Sequence, residues 1–217
     1  MNRKSLLWIL LSAMIISGGG IGYYYWYQGA HYVKSEDARI QGDQYRIMPQ
    51  IAGEITQIHV EEGDVLRKND AVAEQDPANM DPSMVSRSIL RAPIDGMIMK
   101  IYMKQHEIGS PSQAVAMMMD TNHLYVSANI EETDIAKIHP GQVVDITLDT
   151  MNGKAITGKI RKIGTASNAV FSLIPATNTS GNFNKVTQRI PVEISINKPD
   201  DVELIPGTNV EVKIHIA

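Results

Sequence analysis

Cysteine is absent from the 217-residue chain, which removes disulfides, thiolate metal ligands and thiol nucleophiles together. Aromatic residues are scarce, with two phenylalanines and two tryptophans, so the core must be built from Ile, Val, Leu and Met. The net charge is −4 and no basic stripe runs through the sequence. That excludes the electrostatic footprint of a nucleic-acid binder. No G-x-S-x-G, phosphate loop, dinucleotide fingerprint or HExxH occurs. The six histidines, at 31, 59, 106, 123, 139 and 215, never stand at metal-ligand spacing. The expectation is a protein that is not an enzyme, with no catalytic residues, no cofactor and no metal.

Charge is also missing from Ser5 to Tyr27, directly after Arg3 and Lys4. As a helix rising about 1.5 Å per residue, this run covers a hydrocarbon core of about 30 Å. Tyr23, Tyr24, Tyr25, Trp26 and Tyr27 suit the membrane–water interface. Residues 1–29 are therefore expected as a retained single-pass anchor in the cytoplasmic (inner) membrane, N-terminus cytoplasmic and the bulk of the chain extracytoplasmic. A cleaved signal peptide is the competing reading, since Ser17 to Gly22 offers small residues. Residues 30–45 follow as a linker and first strand.

With 43% hydrophobic and 20% charged residues, the remainder should fold. Residues 46–75 and 91–119 follow one plan of short strands and turns. A displacement of 43 residues aligns Gly53 with Gly96, Ile55 with Ile98, Ile58 with Ile101 and Val65 with Ile108. It also aligns Ala71-Val72-Ala73 with Ala114-Val115-Ala116. Neither copy has enough apolar surface to stand alone, so the two should pair as a small β-sandwich over 46–123, with a short connector at 76–90. Met97, Met99 and Met103 are expected on one side as packing, against a sharper reading as soft ligands for Cu(I).

From Leu124 onward period two takes over. Leu124, Val126, Ala128 and Ile130 share one face; Val144, Ile146 and Leu148 share another. Ile190, Val192, Ile194 and Ile196, and then Val210, Val212, Ile214 and Ile216, repeat the pattern. Half-buried antiparallel strands at this spacing predict a small β-barrel over 124–217. Between them "EETDIAKIHPGQ" places acids early, Lys137 late and Pro140-Gly141 as a stop, which predicts a helical turn or two. The fold class is thus mainly β, with an N-terminal transmembrane helix, a split sandwich and a barrel.

Two stretches carry a family resemblance. "P-x-I-x-G-x-I" from Pro49 and "A-P-x-x-G" from Ala92 resemble the halves of a biotinyl/lipoyl-type domain. The carrier reading of that fold needs a lysine between the halves, and none occurs between Lys68 and Lys100. "FSLIPATNTSGNFNKVTQRIPV", residues 171–192, resembles the signature of HlyD/EmrA-type membrane fusion proteins, the periplasmic adaptor subunits of multidrug efflux pumps. Its residues here include Phe171, Leu173, Pro175, Asn178, Gly181, Phe183, Lys185, Gln188 and Arg189. The resemblance implies a non-catalytic adaptor that works with a polytopic export transporter, of major facilitator type or alternatively ABC type, and associates with itself. In that family the connector between halves usually holds a long α-helical hairpin; here it is short, and Pro77 and Pro82 oppose a helix. The loop either closes the barrel, with Arg189 on backbone carbonyls, or contacts a partner through Lys185 and Arg189. The rival function is an anchored extracytoplasmic binding module for a ligand or cell-envelope polymer.

Overall fold

The computed structural model describes the backbone of residues 3–12 and all atoms of residues 13–78, 81–151, 153–167, 170, 187–199 and 202–216. It divides into two compact units, Met1–Ile40 with Val126–Ala217, and Gln41–Tyr125.

The second unit holds strands β2 (Gln44–Ile47), β3 (Gly53–Ile58), β4 (Val65–Leu66), β5 (Ala71–Gln75), β6 (Ile89–Arg91), β7 (Gly96–Ile101), β8 (Ile108–Gly109) and β9 (Ala116–Met119). They form two four-stranded sheets, ordered β2-β9-β7-β4 and β6-β5-β3-β8. A shift of 43 residues turns one order into the other, strand for strand. The register follows the same rule: Ile55 pairs with Gln75 and Ile58 with Ala73, as Ile98 pairs with Met118 and Ile101 with Ala116. Even the bulge recurs, between Ile55 and Gln57 and between Ile98 and Lys100. Each sheet therefore takes two strands from each copy, and the copies exchange strands rather than stack as separate sheets.

Turn chemistry repeats as well. The Asp64 carboxylate accepts the N–H of Glu61, and the Glu107 carboxylate accepts that of Lys104. Gly63 at φ +100° has His106 at φ +71° as its counterpart, so the left-handed turn is kept although one copy carries a side chain there. Between the sheets lies one core, with Ile47, Ile55, Val72, Leu90, Ile98, Val115 and Met118 fully or nearly fully buried. The connector at 76–88 contains, among its described residues, one 3-10 turn, Val85–Arg87.

The methionines depart from expectation. The bulge before Lys100 changes the parity of the chain, so Met103 turns into the core while Met97 and Met99 stay half-buried. Met118 fills the interior place that Gln75 holds in the first copy. Gln75 survives there because its Nε2 donates to the carbonyls of Ile51 and Gly53 at 3.2 and 3.1 Å.

In the first unit, α1 (Arg3–His31) leads directly into β1 (Tyr32–Gln41). Among the described residues no helix is long and apolar enough to cross a membrane. Strand β1 joins β10 (Tyr125–Glu131), β11 (Val143–Leu148), β12 (Lys154–Ile163), β13 (Arg189–Asn197) and β14 (Asn209–His215) in a closed barrel, order β1-β10-β13-β12-β11-β14. Closure pairs the first strand with the last, Tyr32 opposite His215 and Val33 opposite Ile214, which removes the open edges. The alternating residues Val126, Ala128, Ile130, Val144, Ile146, Leu148, Val192, Ile194, Val210, Val212 and Ile214 fill the interior. The expected helical turn is α2 (Glu132–Ile135).

A Cβ at Gly96 would lie 2.2 Å from the carbonyl oxygen of Met119. Gly96→Ala must therefore force β7 from β9, and a loss of about 3 kcal/mol is expected by denaturant titration. An unchanged midpoint would contradict the close pairing.

Asp120 follows β9. Burial opposes its charge, but hydrogen bonds from the His123 ring and the Asn122 N–H outweigh that and hold it below the usual carboxylate range. A lowered folded-state pKa gives stability that is present above the unfolded value of about 3.9 and is lost as pH falls through the folded one. Asp120→Asn should thus flatten the stability profile below about pH 4, read by urea unfolding at several pH values.

Candidate functional site

The loop between β12 and β13 is the stretch singled out in the sequence. Phe171, Leu173, Pro175, Asn178, Gly181, Phe183 and Lys185 lie outside the described residues; Gln188 and Arg189 lie within them. What the structure gives is how the loop is held at its base.

At its start the Gly164 N–H donates to the Pro191 carbonyl at 2.8 Å. A Cβ at Gly164 would stand 2.8 Å from that same oxygen, so the close approach needs glycine. At its end the Gln188 carbonyl accepts the N–H of Glu132, the first residue of α2, at 2.9 Å. Arg189 opens β13, and its Nη1 lies 2.6 Å from Oδ2 of Asp37. The guanidinium thus meets a carboxylate across the barrel wall.

Asp37 sits in the bulge of β1, between Ser35 and Ala38. The bulge is fixed by Ser35, whose hydroxyl donates to the Asn129 carbonyl at 2.8 Å and accepts the Asp37 N–H at 3.2 Å. Sequence reasoning passed over Asp37, although Glu36-Asp37 breaks the alternation of β1, which is the local mark of a bulge.

Around this ion pair lies a polar basin of about 660 Å³ with Glu36, Arg39, Glu131, Asp134 and Glu211 in its wall. Arg39 donates to Asn209 at 3.2 Å, and Lys137 pairs with Asp134 at 2.7 Å. These groups are solvent-exposed, so each pair contributes little to stability and keeps its charge available to a partner surface. Four histidines rest on one carboxylate each: His59 on Glu74, His106 on Glu54, His123 on Asp120 and His215 on Asp145. Among the described residues no three His, Asp or Glu converge as metal ligands.

Residues 124–214 match the YknX-like beta-barrel domain. YhbJ of Bacillus subtilis (strain 168), named as an efflux system component, is 37% identical over 187 residues, 86% of this chain and 81% of that one. The chain belongs to the HlyD/EmrA-type membrane fusion proteins. Colistin resistance protein EmrA of Acinetobacter baumannii is 40% identical over 126 residues, 58% of this chain. The match spans 36% of that relative's length. Among solved structures, the membrane fusion protein Spr0693 from Streptococcus pneumoniae R6 covers 86% of this chain and 99% of its own, with TM-score 0.62 at 12% identity. That likeness is one of fold.

A double-mutant cycle on Asp37 and Arg189, each changed to Ala, should give a coupling of about 0.5–1 kcal/mol at low salt. It should fall toward zero in 1 M salt, where the Debye length is about 3 Å. Coupling that ignores salt would mean the pair is more enclosed than its 49% and 40% side-chain exposure indicates.

Proposed function

We propose that this protein is the membrane-anchored adaptor of an export pump, with no catalytic step of its own. The observation that carries this is the likeness to YhbJ, which runs through both β units. The efflux and resistance names of YhbJ and EmrA suggest drugs or other small molecules as cargo. The partner is a polytopic transporter of the cytoplasmic membrane, with the major facilitator type favoured, and the adaptor acts as a homo-oligomer. Phe171, Leu173, Phe183 and Lys185 supply the contact, presented from a base fixed by Gly164, Gln188 and Arg189. Apolar anchors backed by Arg are the usual composition of an interface centre.

In the same reading α1 is the anchor. Its described part leaves Met14, Ile15, Ile16 and Ile21 exposed, and the ring cluster Tyr23 to Tyr27 exposed after them. Such a surface suits lipid below and an interface above. The short connector at 76–88 leaves no place for a long hairpin, so this adaptor works without the reach toward an outer channel that such a hairpin provides.

Full-length protein purified from membranes should bring down a multi-span transporter, and scrambling residues 171–186 should abolish the recovery while leaving the circular-dichroism spectrum unchanged. Deleting the gene should sensitise cells to at least one toxic compound. Equal recovery with the scrambled loop would remove the loop from the interface. Separately, the chain should resist alkaline carbonate extraction from membranes, and removal of residues 1–29 should release it. Extraction of the intact chain by carbonate would defeat the anchor.

A further inference from the structure

The two copies of the sandwich agree in their core and differ on their outer faces. At equivalent positions one sheet carries Glu54, Gln57, His59 and Glu74, the other Met97, Lys100, Tyr102 and Met117. On the sheet β6-β5-β3-β8 polar links cross the surface: His59 meets Glu74 at 3.1 Å, and Arg91 donates to the Asn69 carbonyl at 2.9 Å. The other sheet has Tyr102 and Met117 in place of that His–Glu pair, with the phenol donating weakly to Sδ at 3.7 Å. Met48 and Ser112 replace Arg91 and Asn69. There a cleft of about 490 Å³ opens, with Met48, Tyr102, Met103 and Met117 as its apolar wall and Arg46 and Glu107 at its rim.

Its two charges are not equivalent. The Glu107 carboxylate is engaged, accepting the Lys104 N–H at 3.1 Å as part of the repeated turn. Arg46 is exposed and, among the described residues, has no carboxylate partner. Three flexible thioethers and a phenol face make an adaptable apolar wall, and a free guanidinium binds carboxylate or sulfonate through paired N–H donors. The volume is that of a small-molecule site.

The geometry points to a binding site for a single-chain amphipathic anion, with its apolar chain against Met48, Tyr102 and Met117 and its head group on Arg46. This site belongs to the sandwich alone and stands whether or not the transporter partnership does.

The test uses the full chain, labelled with ¹³C at the methionine methyls and held in phosphatidylcholine nanodiscs. Octanesulfonate should shift the Met48, Met103 and Met117 methyl signals saturably, while octyltrimethylammonium should leave them in place. Arg46→Gln should weaken the sulfonate at least about fivefold, the loss of one charge-assisted contact. Met117→Glu, which installs the residue found at the matching position of the first copy, should abolish the saturable shifts. If Met117→Glu does not fold, the exposed Arg46→Gln still decides the matter. Equal response to the cation, or an unchanged affinity in Arg46→Gln, overturns the proposal. Nanodiscs containing phosphatidylglycerol, with no sulfonate added, should leave the three signals unmoved. A shift there would assign the site to membrane lipid instead of a free amphiphile.

Discussion

A single 43-residue copy in the sandwich has one apolar face per strand and no second layer of its own to cover it. Ile55 and Val72 from the first copy and Ile98 and Val115 from the second become buried only because both sheets draw on both copies. Burial of side chains of this size contributes about 1.5–3 kcal/mol each, and none of it is available to half a domain. The exchange of strands also means that neither sheet can be completed before the second copy is present. The short connector suffices, because it only has to return the chain from β5 to its neighbour β6.

The barrel solves the same problem by closing on itself. Its first strand arrives before the sandwich in the chain and its second after it, so the sandwich is an insertion between β1 and β10. Closure depends on β1 reaching β14, where Tyr32 packs edge-on to His215 and lies under the Lys213 ammonium at 3.7 Å. The bulge of β1 then serves a second purpose, because it turns Asp37 toward Arg189 at the foot of the signature loop. A long loop carried by a loose hairpin would present its residues anywhere. Here β12 and β13 pair through Ile160 and Ile194, and Gly164 meets Pro191, so both feet of the loop are fixed.

Local pattern made a large part of this legible. Period-two alternation located β10, β11, β13 and β14, and the 43-residue spacing anticipated the paired strands of the sandwich. Contacts between distant positions were not legible. Nothing near Asp37 says that it faces a residue 152 positions away, and the pairing of β1 with β14 has no local sign. Parity was misread for a physical reason: one extra residue at the bulge after Ile98 reverses which side chains point inward, so Met103 and not Met97 or Met99 enters the core. Gln75 escaped notice because a buried amide needs carbonyls at Ile51 and Gly53 that only the folded turn supplies.

An internal repeat also separates what folding demands from what it does not. Core positions in the two copies must remain apolar because they face the same interior, and apart from Gln75 they do. Outer positions are free of that demand, and the turns show how closely the backbone is nonetheless held, down to the capping carboxylates Asp64 and Glu107. Against so similar a backbone, the replacement of His59, Glu74 and Arg91 by Tyr102, Met117 and Met48 cannot be ascribed to strand pairing or to the core. Leaving Tyr102 51% and Met48 45% exposed forgoes burial that contributes about 25 cal/mol for each Å² of apolar surface. A face that gives up this much, where its twin carries the His59–Glu74 contact and the Arg91 hydrogen bond to Asn69, is shaped by what approaches it from outside the chain.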